Sequence, residues 1–84
     1  MTITLLSKPN CVQCKATERK LDGEKLDYTK EDIYDEANFA TVQELKYMAA
    51  PVVLVRDAAG DIIDHWAGFN PTKISELASE LKAA

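Results

Sequence analysis

Thr2 to Ser7 (TITLLS) is a short, largely apolar run of the kind buried on both faces of a sheet, and it predicts a first strand. From Val12 to about Leu21 good helix formers accumulate at Lys15, Ala16, Glu18, Arg19 and Lys20, and Gly23 stands where a helix would stop. Between Leu26 and Asp32, Leu26, Tyr28 and Lys30 alternate with polar neighbours, which predicts a second strand paired in parallel with the first through a right-handed crossover. Asp35 or Glu36 opens a second helix whose apolar positions Phe39, Val42, Leu45 and Met48 recur every three residues, one helical face expected in the core. Ala49-Ala50-Pro51 ends it, because the residue before a proline is disfavoured in the α region. Val52 to Val55 is an unbroken β-branched and aliphatic run, a central strand with its proline at the tolerated first position. Asp57-Ala58-Ala59-Gly60 is a turn by composition, and Asp61 to Trp66 returns as the second arm of a hairpin. Asn70 is a good N-cap and Pro71 a good first helical residue, with Ile74, Leu77, Ala78 and Leu81 as the buried stripe of a last helix. The predicted order is β-α-β-α-β-β-α, without internal repeat, linker or low-complexity stretch.

Length limits what this order can hold. The 84 residues suffice for one domain with a small core. No charged-then-apolar leader opens the chain and no apolar run approaches the roughly 20 residues that span a bilayer, so the expected location is the cytoplasm. A net charge of −4 argues against nucleic acid or an anionic membrane as the main partner. Lys8, Lys15, Arg19 and Lys20 do collect around the cysteines, while Glu31, Asp32, Asp35 and Glu36 form an acidic stretch; a solvated helix face accounts for the basic group more simply than a docking patch for an acidic partner segment.

Chemistry enters with Lys8-Pro9-Asn10-Cys11-Val12-Gln13-Cys14, which carries both cysteines at the junction between first strand and first helix. Loop-closure stabilisation grows with the length of the closed segment, so a bridge between neighbours this close would be a poor staple. On the first turn of a helix, however, positions i and i+3 share a face, and a disulfide can form and break there without large backbone movement. Unpaired N–H groups and the positive end of the helix dipole favour the thiolate of Cys11 over its thiol. Lys8 adds a nearby cation and Pro9 restricts the backbone before the turn. In a reducing cytosol such a pair is transient and catalytic more often than structural. A different class of function is a metal-binding module. Zinc takes four ligands, and this chain offers two thiolates and one distant histidine, His65, so a closed site requires a second copy contributing its own pair. His65 is assigned no proton-transfer role.

Cys-x-x-Cys at the first strand-to-helix turn, with a proline opening the third strand, resembles the thioredoxin fold in its short, glutaredoxin-like form: a four-stranded mixed sheet and three helices, across essentially the whole chain. Cys11-Val12-Gln13-Cys14, Ala50-Pro51-Val52-Val53 and His65-Trp66-Ala67-Gly68-Phe69-Asn70-Pro71, taken together, are similar to the NrdH-redoxin family, glutaredoxin-like electron donors of class Ib ribonucleotide reductase. The resemblance implies that Cys11 attacks a protein disulfide and Cys14 resolves the mixed disulfide. It implies that Pro51 is cis and lies against the cysteines, exposing the backbone of Ala50 to an extended substrate segment, with Lys8, Pro9, Val12, Gln13, Trp66, Gly68 and Phe69 completing the partner surface. It also implies a monomer with no bound cofactor, which takes electrons from NADPH through thioredoxin reductase and passes them to the large subunit of ribonucleotide reductase.

Glutathione-dependent glutaredoxins, the alternative within the superfamily, usually carry Cys-Pro-Tyr-Cys and a Gly-Gly-x-Asp type turn after the last strand; this chain has Val12-Gln13 and Trp66 to Pro71 in those places. NrdH-redoxins commonly show Trp-Ser-Gly-Phe-Arg-Pro-Asp, whereas here Ala67, Asn70 and Thr72 replace Ser, Arg and Asp, so any hydrogen-bond network of those side chains is altered or missing. Leu6 stands where related chains often have Tyr beside the active site. Trp66, at the end of an edge strand, is expected to stay partly exposed, Phe69 fits either hairpin-end packing or the contact surface, and Gly68 supplies a φ that other residues resist.

Overall fold

Strand β1 (Thr2–Ser7) feeds two opposite layers, as its pleat dictates: Ile3 and Leu5 enter one hydrophobic cluster and Leu6 the other. The computed structural model describes residues 1–83, and in it β1 is followed by α1 (Val12–Gly23), β2 (Thr29–Asp32), α2 (Glu36–Glu44), β3 (Val52–Arg56), β4 (Ile62–Ala67) and α3 (Pro71–Ala83). The sheet order is β2-β1-β3-β4, with β1 and β2 parallel and the other pairs antiparallel. Element order, mixed sheet and three helices agree with the sequence reading.

Strand β3 alternates in the same way as β1. Val53 and Val55 join Ile3, Leu5, Leu21, Trp66, Ile74 and Leu77, so α1 and α3 cover this face. Val52 and Leu54 join Leu6, Ile33 and Val42, so α2 covers the other. Burying each such aliphatic side chain contributes about 1.5–3 kcal/mol. Leu6 is thus a core residue of the α2 layer, fully buried. Because β1, β2 and β4 run one way and β3 the other, the segments after β1, after β2, before β3 and after β4 gather at a single end of the sheet. That end carries the cysteine turn.

Four expectations are corrected. Helix α1 does end at Gly23, where the sequence places its stop, but the left-handed position falls on Lys25 (φ 59). Lys25 N–H donates to Asp22 O and Leu26 N–H to Leu21 O, closing a Schellman motif in which a lysine occupies the usual glycine place. Ala49-Ala50-Pro51 does not end α2: the helix already stops at Glu44, closed by the same motif at Lys46 (φ 64), with Tyr47 N–H on Val42 O. The early end of α2 throws Met48 off the apolar face: it is 99% exposed, and Phe39 is also exposed, while Val42 and Leu45 do pack inward.

Strand β2 is shorter than its alternation suggested, since Leu26 and Tyr28 precede it and pack against the first cluster from irregular chain. Trp66 is buried, at 5% exposure, instead of lying at the rim. Its edge strand ends just before α3 folds back over it, and Lys73 of α3, bonded to Asp64 at 2.8 Å, sits 5.4 Å over the indole ring.

Candidate active site

Cys11 is the N-cap of α1 and not part of its first turn: its φ of −113 and ψ of 107 are extended. Its Sγ accepts the N–H of Cys14 at 3.1 Å, the bond that a serine or aspartate oxygen makes at most helix starts. Asn10 just before it takes a left-handed φ of 58, a conformation Asn tolerates better than most residues, and this sharp reversal turns the chain from β1 into the helix. The two cysteines form a disulfide with Cα atoms 5.2 Å apart, inside the ordinary range.

Exposure separates the pair. Cys11 is 8% exposed and Cys14 2%. No acidic side chain occupies the first turn of α1 among the described residues. A thiolate at Cys11 would therefore meet the helix N–H groups and dipole without an opposing carboxylate in that turn.

The Ala50–Pro51 peptide is cis, and Pro51 is buried while Ala50 is half-buried. Pro51 O accepts the N–H of Gly68 at 2.8 Å, which joins the start of β3 to the end of β4. Gly68 has φ +78, so the positive angle expected of it is present. Phe69 is 42% exposed, and its N–H donates to Gln13 Oε1 at 3.2 Å. Among the residues singled out from the sequence, Gln13, Pro51, Gly68 and Phe69 are thus tied together by these bonds, and Val12 is exposed beside Cys11. Lys8 and Pro9 are exposed on the turn that leads into Cys11. Trp66 drops out of the exposed surface.

Asn70 caps α3 through its Oδ1, which accepts Lys73 N–H at 3.1 Å. Tyr47 was not anticipated. Its hydroxyl lies 2.8 Å from Nδ1 of His65, with the rings edge to face. A tyrosine just past a helix end carries no periodic signal, and only the sheet register brings it to β4. A groove of about 490 Å³, lined by Tyr34, Phe39, Lys46, Tyr47, Met48 and Ala50 among others, runs up to the proline edge. Among the described residues no group of three or more His, Cys, Asp or Glu side chains comes together in metal-holding geometry.

The family model for glutaredoxin matches residues 3–58. Curated relatives include the glutaredoxin-like protein NrdH of Lactococcus lactis subsp. cremoris, 31% identical over 77 residues that cover 90% of this chain and 99% of the relative. The Salmonella typhimurium protein of the same name is 34% identical over 79 residues, 92% and 89% of the two chains. A solved structure of the Escherichia coli glutaredoxin-like protein NrdH-redoxin, described as having a thioredoxin-like activity profile, superposes with a TM-score of 0.73 at 28% identity, over 92% of this chain and 95% of that one. A mixed sheet with a cysteine pair capping its first helix and a cis-proline at the same end defines a thioredoxin-like dithiol oxidoreductase. The chain belongs to the glutaredoxin family and, within it, to the glutaredoxin-like NrdH-redoxins.

Proposed function

We propose that this chain, acting as a single-domain monomer in the cytoplasm, reduces protein disulfides of class Ib ribonucleotide reductase with electrons from NADPH delivered by thioredoxin reductase. The observation that carries the reading is the helix cap made by Cys11, whose sulfur takes the Cys14 N–H while Cys14 itself lies deeper. In the dithiol form, Cys11 thiolate attacks one sulfur of the substrate disulfide; the other substrate sulfur leaves as thiolate and takes up a proton. Cys14, as thiolate, then attacks the Cys11 sulfur of the mixed disulfide and expels the second substrate sulfur. Two electrons and two protons have passed to the substrate, and Cys11–Cys14 is left as a disulfide for the reductase to open.

The partner docks across the disulfide end. Support comes from its exposed apolar residues: Tyr34, Met48 and Phe69 stand on three of the connecting segments there, and Val12 opens α1 beside Cys11. Lys8, Pro9 and Gln13 complete this margin, and an extended substrate segment lies along the backbone of Ala50. Such a surface suits a folded protein partner more than a tripeptide. A coupled NADPH-oxidation assay tests the electron source: turnover is expected with thioredoxin reductase. Turnover only with glutathione and its reductase would replace this reading by that of a glutathione-dependent glutaredoxin, and one metal bound per two chains in protein purified without chelator would replace it by a dimeric metal site.

A further inference from the structure

Gln13 stands between the two cysteines, and its side chain reaches the turn after β4. Its Oε1 accepts the N–H of Phe69, 56 positions along the chain, at 3.2 Å. The turn is closed down on this oxygen: a Cβ at Gly68 would lie 3.4 Å from it, and the positive φ of Gly68 aligns the Phe69 N–H with the redox helix. Gly68 passes the connection on, donating its own N–H to Pro51 O at 2.8 Å. On the helix side, the main-chain carbonyl of Gln13 accepts the hydroxyl of Thr17 at 2.8 Å, and Thr17 is fully buried. The Gln13 side chain therefore ties the cysteine turn to the β4–α3 turn, and the Gly68 backbone ties that turn to the proline edge, while Phe69 stays exposed.

We infer that Gln13 is a positioning residue, which holds Phe69 and the Ala50–Pro51 edge at fixed register to the disulfide so that a protein partner meets them as one surface. This rests on the dithiol-exchange reading above. The carboxamide oxygen is bonded to Phe69 N–H, while Cys11 Sγ takes its hydrogen bond from Cys14 N–H. The contribution of Gln13 is preorganisation of the docking margin, which large disulfide substrates use and small ones do not.

The test compares insulin, as a protein disulfide, with 5,5′-dithiobis(2-nitrobenzoic acid), as a small one; dithiothreitol supplies electrons in the insulin assay, and protein pre-reduced and freed of dithiothreitol supplies its own two electrons in a single turnover with the small disulfide. Gln13→Ala is expected to raise KM for insulin about fivefold with kcat held within about twofold, the loss of one ordinary hydrogen bond in binding. Its loss of rate against the small disulfide is expected to be clearly smaller, and the Phe69 amide is expected to exchange faster with solvent. Gln13→Glu keeps an acceptor for Phe69 N–H, so KM is expected to return to within about twofold of the parent while its charge moves the pH profile of thiolate attack upward. Equal losses against both disulfides, an unchanged KM in Gln13→Ala, or a Gln13→Glu protein no better than Gln13→Ala would each overturn the inference. Parent protein that turns over neither disulfide would instead remove the dithiol reading on which it rests.

Discussion

The hydroxyl of Tyr47 and Nδ1 of His65 meet at 2.8 Å, and this contact fastens the segment between α2 and β3 to the edge strand β4. His65 faces the α2 layer because Leu54, its cross-strand neighbour, does. The histidine thus works as an anchor for the segment that ends in the proline edge. Tyr47→Phe keeps the ring and removes the hydroxyl. We predict a loss of about 0.5–1.5 kcal/mol in urea unfolding. Adding His65→Phe should bring little more, and a double-mutant cycle showing full additivity would mean that the contact carries no energy.

For the cysteines the expected outcomes differ sharply. Cys11→Ser abolishes disulfide reduction, whereas Cys14→Ser retains the first attack and accumulates a mixed disulfide with the partner, visible on a non-reducing gel. If only Cys11→Ser traps, the two roles are exchanged. Ultraviolet titration of the thiolate should place Cys11 below the roughly 8.5 of a free thiol.

Trp66 and Phe69 lie three positions apart and should respond in opposite ways. Trp66→Ala removes a large side chain packed among Ile3, Leu5 and Val53 and is predicted to destabilise by about 3–5 kcal/mol, read as a large fall in Tm. Phe69→Ala should leave unfolding within about 0.5 kcal/mol of the parent and raise KM for a protein disulfide.

Alkaline pH should weaken the fold above the ordinary titration range of its phenols and amines. Burial, then the charges of Asp22 and Glu18 and the hydrogen bond to Asp22, raise Tyr28 above its usual 10.0. The hydrogen bond to Asp64 raises Lys73 above its usual 10.5, against a smaller opposing effect of desolvation and with help from the charges of Asp64, Glu76 and Glu80. Both folded values exceed the unfolded ones, so the stabilisation is complete below them and is lost as pH climbs through the folded values. The urea midpoint should fall in that window, and Tyr28→Phe and Lys73→Met should each flatten the fall.

Gly23→Ala should stabilise the protein. The residue is helical, a Cβ there would meet nothing within 4 Å, and the gain is about 0.5–1 kcal/mol from helix propensity and a less flexible unfolded chain. An unchanged or lower denaturation midpoint would contradict this.

The features most legible in the sequence were those with short-range causes. The β1 and β3 runs, the cysteine turn and the Asn70-Pro71 start of α3 each show their cause within a few residues. Lys46 hid the end of α2, and Lys25 the cap that follows Gly23, because a lysine in the left-handed region is set by the closing hydrogen bonds and not by its own preference. Met48 kept the periodic spacing although the helix had already stopped. Trp66 was misplaced because burial at an edge strand depends on α3 crossing over it, a relationship without a local signature. Gln13 was picked out for its place between the cysteines, but its bond to Phe69 closes a distance in sequence that no pattern records.

Strand β2 borders the sheet with Thr29, Lys30, Glu31 and Asp32, every one of them exposed. An open edge is a template for another chain, and charge is one of the means by which it is kept from templating aggregation. Adding a strand there would desolvate a lysine and two carboxylates, which disfavours both fibre growth and capture of an extended client along that border. Under the proposed docking, unpaired backbone is accepted at the disulfide end, and the charged flank is in this way kept from accepting it as well.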